Sequence, residues 1–402
     1  MAVSSLPLSG VRVLDLATFV AGPFCAAILA EFGAEVIKVE QPGSGDPLRK
    51  FGTPATPSGD TLVWLSEARN KKSITLDLRQ PRGKDLFLRL VTRSQAAIEN
   101  FRPGTLEKWG LDYDVLAAAN PAVVLLRISG YGQTGPKRGE PGFARIAHAF
   151  CGLSDLVGMP DGPPLMPGST SLADYVSGVY GAVGLLLALR AAEQSGRGQS
   201  VDLGLYEGIF RMLDELAPAY ARDGFVRTRM GADTVNAVPH SHYPTADGKW
   251  VAIAATSDKM FARLAAAMGR PELAAGGPYG KVAAREAARE DVNRLVAEWT
   301  GGLPQHEVLS RCAAEEVPSG PINNIADIFR DPQFAARGNL LRVVDDRVGE
   351  ITIPNVVPLL SRTPGHVTHL GPELGAHNDE IYRGLLGLEA SDLAALRKDG
   401  VI

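Results

Sequence analysis

Cysteine is nearly absent: 402 residues contain only Cys25, Cys151 and Cys312, far apart and with no CxxC pair. Neither a disulfide framework nor a cysteine-based zinc site is expected. The opening, MAVSSLPLSG, lacks the basic segment and apolar core of a secretory leader. The longest nearly uncharged apolar run, residues 176–189, is closed by Arg190 and falls short of the ~20 residues a spanning helix needs. A cytoplasmic setting without a membrane partner is therefore expected. Charge of one sign is missing too: 41 basic against 45 acidic residues leave a net charge of −4, and no basic field points to nucleic acid. Aromatics are few at 6%, while glycine (44) and proline (28) are plentiful and 45% of residues are hydrophobic. That is a globular composition, and the length favours two domains or a large domain with an insertion.

What is present is a βαβ start. Residues 11–16 (VRVLDL) read as a buried strand, Gly22-Pro23 opens a helix that Gly33 breaks, and residues 34–39 (AEVIKV) form a second strand ending at Glu40. Such a unit implies a parallel sheet covered on both faces. Further strands are expected at residues 73–78, 95–99, 123–129 and 199–203, with a helix at 81–91. After Ala221 the texture changes. Asp247-Gly248 is a hairpin turn leading into a strand at 250–255, and Ala-rich helices follow at 259–268 and 281–299. The expected architecture is α/β: a large domain begun by residues 1–224, a small α+β domain at 225–325, and a segment 326–402 returning to the large domain. That last segment carries a strand at 349–353 and a helix at 391–398.

Several side chains stand out. Glu40 after the second strand invites a dinucleotide site, but the first turn, TFVAGP, has no GxGxxG, and Phe19 and Val20 sit where glycines would be needed. His366, His369 and His377 have no accompanying carboxylate motif and read as surface or turn residues. His240 and His242, in PHSHYP, share one face of a strand and are candidate substrate contacts. Asp174 precedes a long apolar helix. With Ser171 three positions before it, the pair approximates a capping box; equally, a carboxylate at a helix N-terminus is favoured in its ionised form and can act as a nucleophile. Gly178, Gly181 and Gly184 permit close packing behind it. Basic groups at Arg69 to Lys72, Arg102, Lys108 and Lys137 could surround a polyphosphate at the sheet's carboxyl edge.

Taken together these segments resemble the class III CoA-transferases, the family of formyl-CoA transferase and carnitine CoA-transferase. The matching strings run in family order: AGP at 21–23, FGAEVIKVE at 32–40, NKKS at 70–73, ENFRPG at 99–104, GLDY at 110–113, SGYGQTGP at 129–136, LAD at 172–174, GRGQ at 196–199, VPSGPI at 317–322 and LGAH at 374–377. The resemblance implies a Rossmann-like large domain with an inserted small domain, in an interlaced homodimer. It implies that Asp174 is the catalytic nucleophile, forming an acyl anhydride and then an aspartyl-CoA thioester. Activation is conserved in such an exchange, so neither metal nor tightly bound cofactor is expected, and coenzyme A is a substrate. The residues expected around it are Val20, Ala21, Lys71, Asn100, Phe101, Arg102, Lys108 and Lys137. Val20 replaces the glutamine of the oxalate-linked members, and their glycine run is missing. Both departures speak against an oxalate or formate substrate; by analogy with members lacking that run, the resemblance implies succinyl-CoA as donor and a dicarboxylate as acceptor, with Arg145, His240 and His242 as candidates for its second carboxylate. Two alternatives are an idle CoA-binding relative and an α-methylacyl-CoA racemase-like isomerase. Against the latter, Gly142-Phe-Ala144 stands where the racemase histidine segment would align, and His148 lies five residues beyond Phe143.

Overall fold

A computed structural model of the chain describes residues 6–168 and 170–402. Residues 1–5, and Ser169 just ahead of the long apolar helix, lie outside the described residues. Two compact units emerge: Met1–Ser154, Met166–Val226 and Ala336–Ile402 form the first, Asp155–Leu165 and Arg227–Ala335 the second.

The first unit is built on six parallel strands: β1 (Arg12–Asp15), β2 (Glu35–Glu40), β3 (Lys71–Thr75), β4 (Ala96–Glu99), β5 (Val124–Ser129) and β6 (Ser200–Gly204). Their order, β3-β2-β1-β4-β5-β6, is that of doubly wound α/β sheets, in which ligands bind beyond the carboxyl ends where the order reverses, here between β1 and β4. Alternation along the strands supplies two cores. Val13, Val36, Ile98 and Leu126 face α1 (Ala21–Glu31). On the opposite face, Leu14, Ile37, Ala97 and Leu125 pack on α2 (Pro81–Val91) and the C-terminal helix Ala390–Lys398. Three more helices matter for the site: α3 (Ala144–Phe150), α4 (Leu172–Ser195) and α5 (Leu205–Arg211).

Two expectations shift here. The strand expected at 73–78 starts at Lys71 and ends at Thr75, because pairing with Val36 through Glu40 sets its length. The apolar run at 176–189 belongs to a helix of 24 residues, long and apolar enough to cross a membrane by length and composition. Its Ala173, Ser177, Gly181 and Leu185 are buried within the first unit, while Val179, Val183, Leu186 and Leu187 are exposed. The glycines act as anticipated. A Cβ on Gly178 would sit 2.8 Å from the Phe24 ring and 2.9 Å from Ala21 O, so only glycine lets α4 lie this close to the start of α1. A hairpin of Leu340–Asp345 with Gly349–Pro354 completes the unit; its first strand was not foreseen.

The second unit holds a three-stranded antiparallel sheet in the order β7 (His240–Pro244), β8 (Trp250–Ala254), β9 (Ser319–Pro321). The Asp247-Gly248 turn joins the first pair, with Gly248 at φ +73°. Tyr243, Val251 and Ile253 pack with Leu264, Val296 and Val308. The helix expected at 281–299 breaks at Ala288 into Val282–Ala287 and Arg289–Gly301. The first piece is tethered by the buried Arg285 guanidinium, which donates to Val238 O and Tyr279 O. This unit runs to Ala335, beyond the expected 325, and takes in Asp155–Leu165. Arg229 bonds Asp155 at 2.9 Å, and Gly231 N bonds Gly158 O.

Candidate active site

Asp174 is the third residue of α4 and lies half-buried on the wall of a cavity of about 250 Å³. Burial pushes its carboxyl up to about 6, opposed by the Ser171 hydroxyl. It forms no ion pair among the described residues; the Ser171 hydroxyl and the helix N-terminus favour its ionised form. The anticipated capping box is absent. Ser171 gives no side-chain cap, and the Ala173 N–H donates instead to His148 Nε2 of α3, at 2.9 Å. Sequence spacing could not register this, because the acceptor comes from another helix.

Opposite Asp174 is the turn between β1 and α1. The Asn100 side chain clamps Thr18 twice, accepting from its N–H and donating to its carbonyl, both at 2.7 Å. Phe19, at φ +60°, donates its N–H to Asp46 Oδ1 at 3.0 Å. Asp46 in turn pairs with Lys38 at 2.8 Å, and the Lys38 ammonium also bonds Ala17 O. A non-glycine residue at positive φ is costly, and this buried network holds it there, bringing Val20 and Ala21 to the cavity wall.

Asn100, Phe101 and Arg102 line the same cavity as Asp174, Val20 and Ala21, together with Glu140 and Phe143. Thr18 and Phe101 are shared with a second, smaller cavity lined by Lys38, Gln41, Leu76, Leu78, Arg79 and Trp109. Both cavities thus lie beside the carboxyl ends of β1 and β4, with Thr18 and Phe101 between them. Gln41, Arg79, Trp109 and Phe143 were not anticipated. The usable signal was position: Gln41 directly follows β2, and Arg79 lies four residues beyond β3.

Other expected contacts lie elsewhere. Lys71, expected beside coenzyme A, is buried, and its ammonium bonds Asp15 Oδ2 at 2.9 Å and Pro23 O at 2.6 Å. Burial lowers its pKa; it supports the β1–α1 turn from behind and is not on the cavity wall. Lys108 and Arg145 are exposed and line neither cavity. Lys137 is also off the wall, pairing with Glu140 at 3.0 Å and lying 5.5 Å from the centre of the Tyr131 ring. His240 and His242 belong to the second unit, where both are exposed and border a separate cavity with Ser319 and Gly320. The racemase geometry is not available either: Phe143 and Ala144 cannot move protons, and His148 is fully buried with Nε2 engaged.

A half-buried carboxylate with no ion pair among the described residues, in a cavity that Arg102 also lines, is suited to acyl transfer. The model of CoA-transferase family III matches residues 8–378. The chain belongs to CoA-transferase family III. This family III enzyme is 55% identical over 397 residues to a succinyl-CoA–L-malate CoA-transferase alpha subunit of Chloroflexus aurantiacus, covering 99% of this chain and 93% of the relative. It is 46% identical to a succinyl-CoA–D-citramalate CoA-transferase of the same organism, covering 98% of each. Among solved structures, a CaiB/BaiF family protein from Brucella suis superposes with a TM-score of 0.84 at 33% identity, over 95% of this chain and 100% of that one. The α/β fold with its central parallel sheet is thus the fold of that family.

Proposed function

We propose that this family III transferase moves CoA from succinyl-CoA to a small dicarboxylate, malate first, through covalent catalysis at Asp174. The observation that carries the reading is the Asp174 carboxylate, half-buried and without an ion pair among the described residues, lining a cavity with Val20, Ala21 and Arg102. The names of the relatives support the donor and the acceptor class.

The Asp174 carboxylate attacks the thioester carbonyl and the C–S bond breaks, giving an aspartyl–succinyl anhydride and CoA thiolate. Thiolate then attacks the aspartyl carbonyl, and succinate leaves as its C–O bond breaks. The acceptor carboxylate attacks the resulting aspartyl-CoA thioester, forming a new anhydride and thiolate. Attack by thiolate on the acceptor carbonyl releases the product acyl-CoA and restores Asp174. Every species enters and leaves as an anion, so no net proton transfer is needed. Splitting one exchange into acyl transfers is the contribution of the nucleophile.

In this reading pantetheine runs past Val20, Ala21 and Phe101, and the nucleotide end of coenzyme A lies toward Arg79. Arg102 lines the cavity that holds Asp174, and Arg145 does not, so Arg102 takes the distal carboxylate of succinyl or malyl groups in preference to Arg145. The exposed apolar face of α4 is the surface on which a second copy would seat in an interlaced homodimer, with the second unit as an insertion in the large domain. A screen of succinyl-CoA against malate, citramalate, glutarate and acetate tests the substrate assignment. Malate is expected to give the highest kcat/KM; acetate turned over as well as malate would overturn the dicarboxylate reading.

A further inference from the structure

The first turn of an α-helix leaves backbone N–H groups without intrahelical acceptors. In α4 the N-cap Ser171 contributes no side-chain acceptor, yet the nucleophile sits two residues inside that turn. The Ala173 N–H, immediately before Asp174, is met by His148 Nε2 at 2.9 Å. His148 is fully buried on α3. A ring nitrogen that accepts from an N–H carries no proton, so the ring is the neutral Nδ1–H tautomer. Its Nδ1 has no partner among the described residues. Burial, with the charge of Arg145, pushes the His148 pKa down and keeps the ring neutral at neutral pH. An aspartate or glutamate here would also accept the bond, but it would set a second negative charge beside a nucleophile whose ionisation burial already opposes. Imidazole is the acceptor that holds the turn without that charge.

We propose that His148 is a positioning residue for Asp174: as a neutral acceptor it fixes the first turn of α4, and with it the direction of the nucleophilic carboxylate. The proposal rests on the reading of Asp174 as the nucleophile. Three variants separate its parts. His148→Phe keeps bulk and loses the acceptor; kcat for succinyl-CoA-to-malate transfer is expected to fall about 10- to 100-fold, with KM for succinyl-CoA changed by less than about twofold. His148→Gln keeps an acceptor and is expected to restore most of that loss. His148→Glu should raise the acid limb of the kcat profile, because a nearby carboxylate disfavours ionisation of Asp174. Wild-type kcat in His148→Phe, or equal losses in the Phe and Gln variants, would overturn the proposal. A second test needs no turnover: nitrogen NMR of the protein carrying isotope-labelled histidine. A fully buried ring protonated on Nδ1 and bare on Nε2 is expected, assigned by its loss in His148→Gln; the opposite tautomer or an imidazolium at neutral pH would refute it. If instead Asp174→Ala retained full transfer activity, the covalent reading would fail while the tautomer result stood or fell on its own.

Discussion

At Asp174 the fold sets an electrostatic cost at the centre of the proposed chemistry. Its carboxyl is raised to about 6 by burial, so the folded protein holds that proton more tightly than the unfolded chain does. Stability therefore falls as pH rises from the ordinary aspartate range to about 6, and the full cost, about 3 kcal/mol, is present above it. Asp174→Asn removes this cost. Denaturant unfolding should show the variant more stable than wild type above that pH by up to about 3 kcal/mol, the difference vanishing toward pH ~4. Equal stability at both ends would contradict the burial argument. The wild-type kcat should rise with pH through an acid limb near 6, as the nucleophile ionises. Arg102→Gln should raise KM for malate by about 10-fold or more while changing transfer to acetate little, as expected for loss of one charge-assisted bond. At this scale the family resemblance singled out Asp174 as nucleophile and Val20, Ala21, Asn100, Phe101 and Arg102 as coenzyme A contacts, and these six residues line one cavity. Lys71 was misread for a physical reason: the same lysine in the same string can face a ligand or, as here, a buried aspartate. Gln41, Arg79 and Trp109 escaped because only the strand order brings those segments together.

Among the elements, two set the distance across the site: the β1–α1 turn and the start of α4. Asn100→Ala would leave both polar groups of Thr18 without their clamp. A loss of about 1–3 kcal/mol in unfolding free energy is expected, together with reduced transfer. Gly178→Ala and Gly184→Ala make an informative contrast. At Gly178 a methyl would meet Phe24 and Ala21 O at under 3.0 Å, whereas at Gly184 the nearest atom is Val201 Cγ1 at 3.2 Å. The first substitution should cost about 1–3 kcal/mol through overpacking; at the second, the helix propensity gain of about 1 kcal/mol offsets the tighter contact. Thermal unfolding of both variants measures the difference. The parallel strands were legible because their burial makes short apolar runs. The strand Leu340–Asp345 was not, since partial exposure along its length leaves no such run.

For the whole molecule, α4 is the element with the most unusual surface. It fills the core of the first unit on one side and exposes Val179, Val183, Leu186 and Leu187 on the other. In the proposed homodimer this face is the one a second copy covers. Sedimentation of the wild-type chain should give a dimer, and the double variant Val183→Glu, Leu187→Glu a monomer or an aggregate. A wild-type monomer would contradict the homodimer reading; so would assembly only with a different chain. The near-neutral total charge said nothing of the two cavities, one lined by Arg102 and the other by Arg79. The central claim, covalent transfer through Asp174, has a direct test. The enzyme is incubated with succinyl-CoA, treated with borohydride or hydroxylamine, and the peptide containing residue 174 is weighed by mass spectrometry. The account predicts Asp174 reduced or converted to its hydroxamate only when succinyl-CoA is present; an unmodified Asp174 in enzyme that still transfers CoA would contradict it.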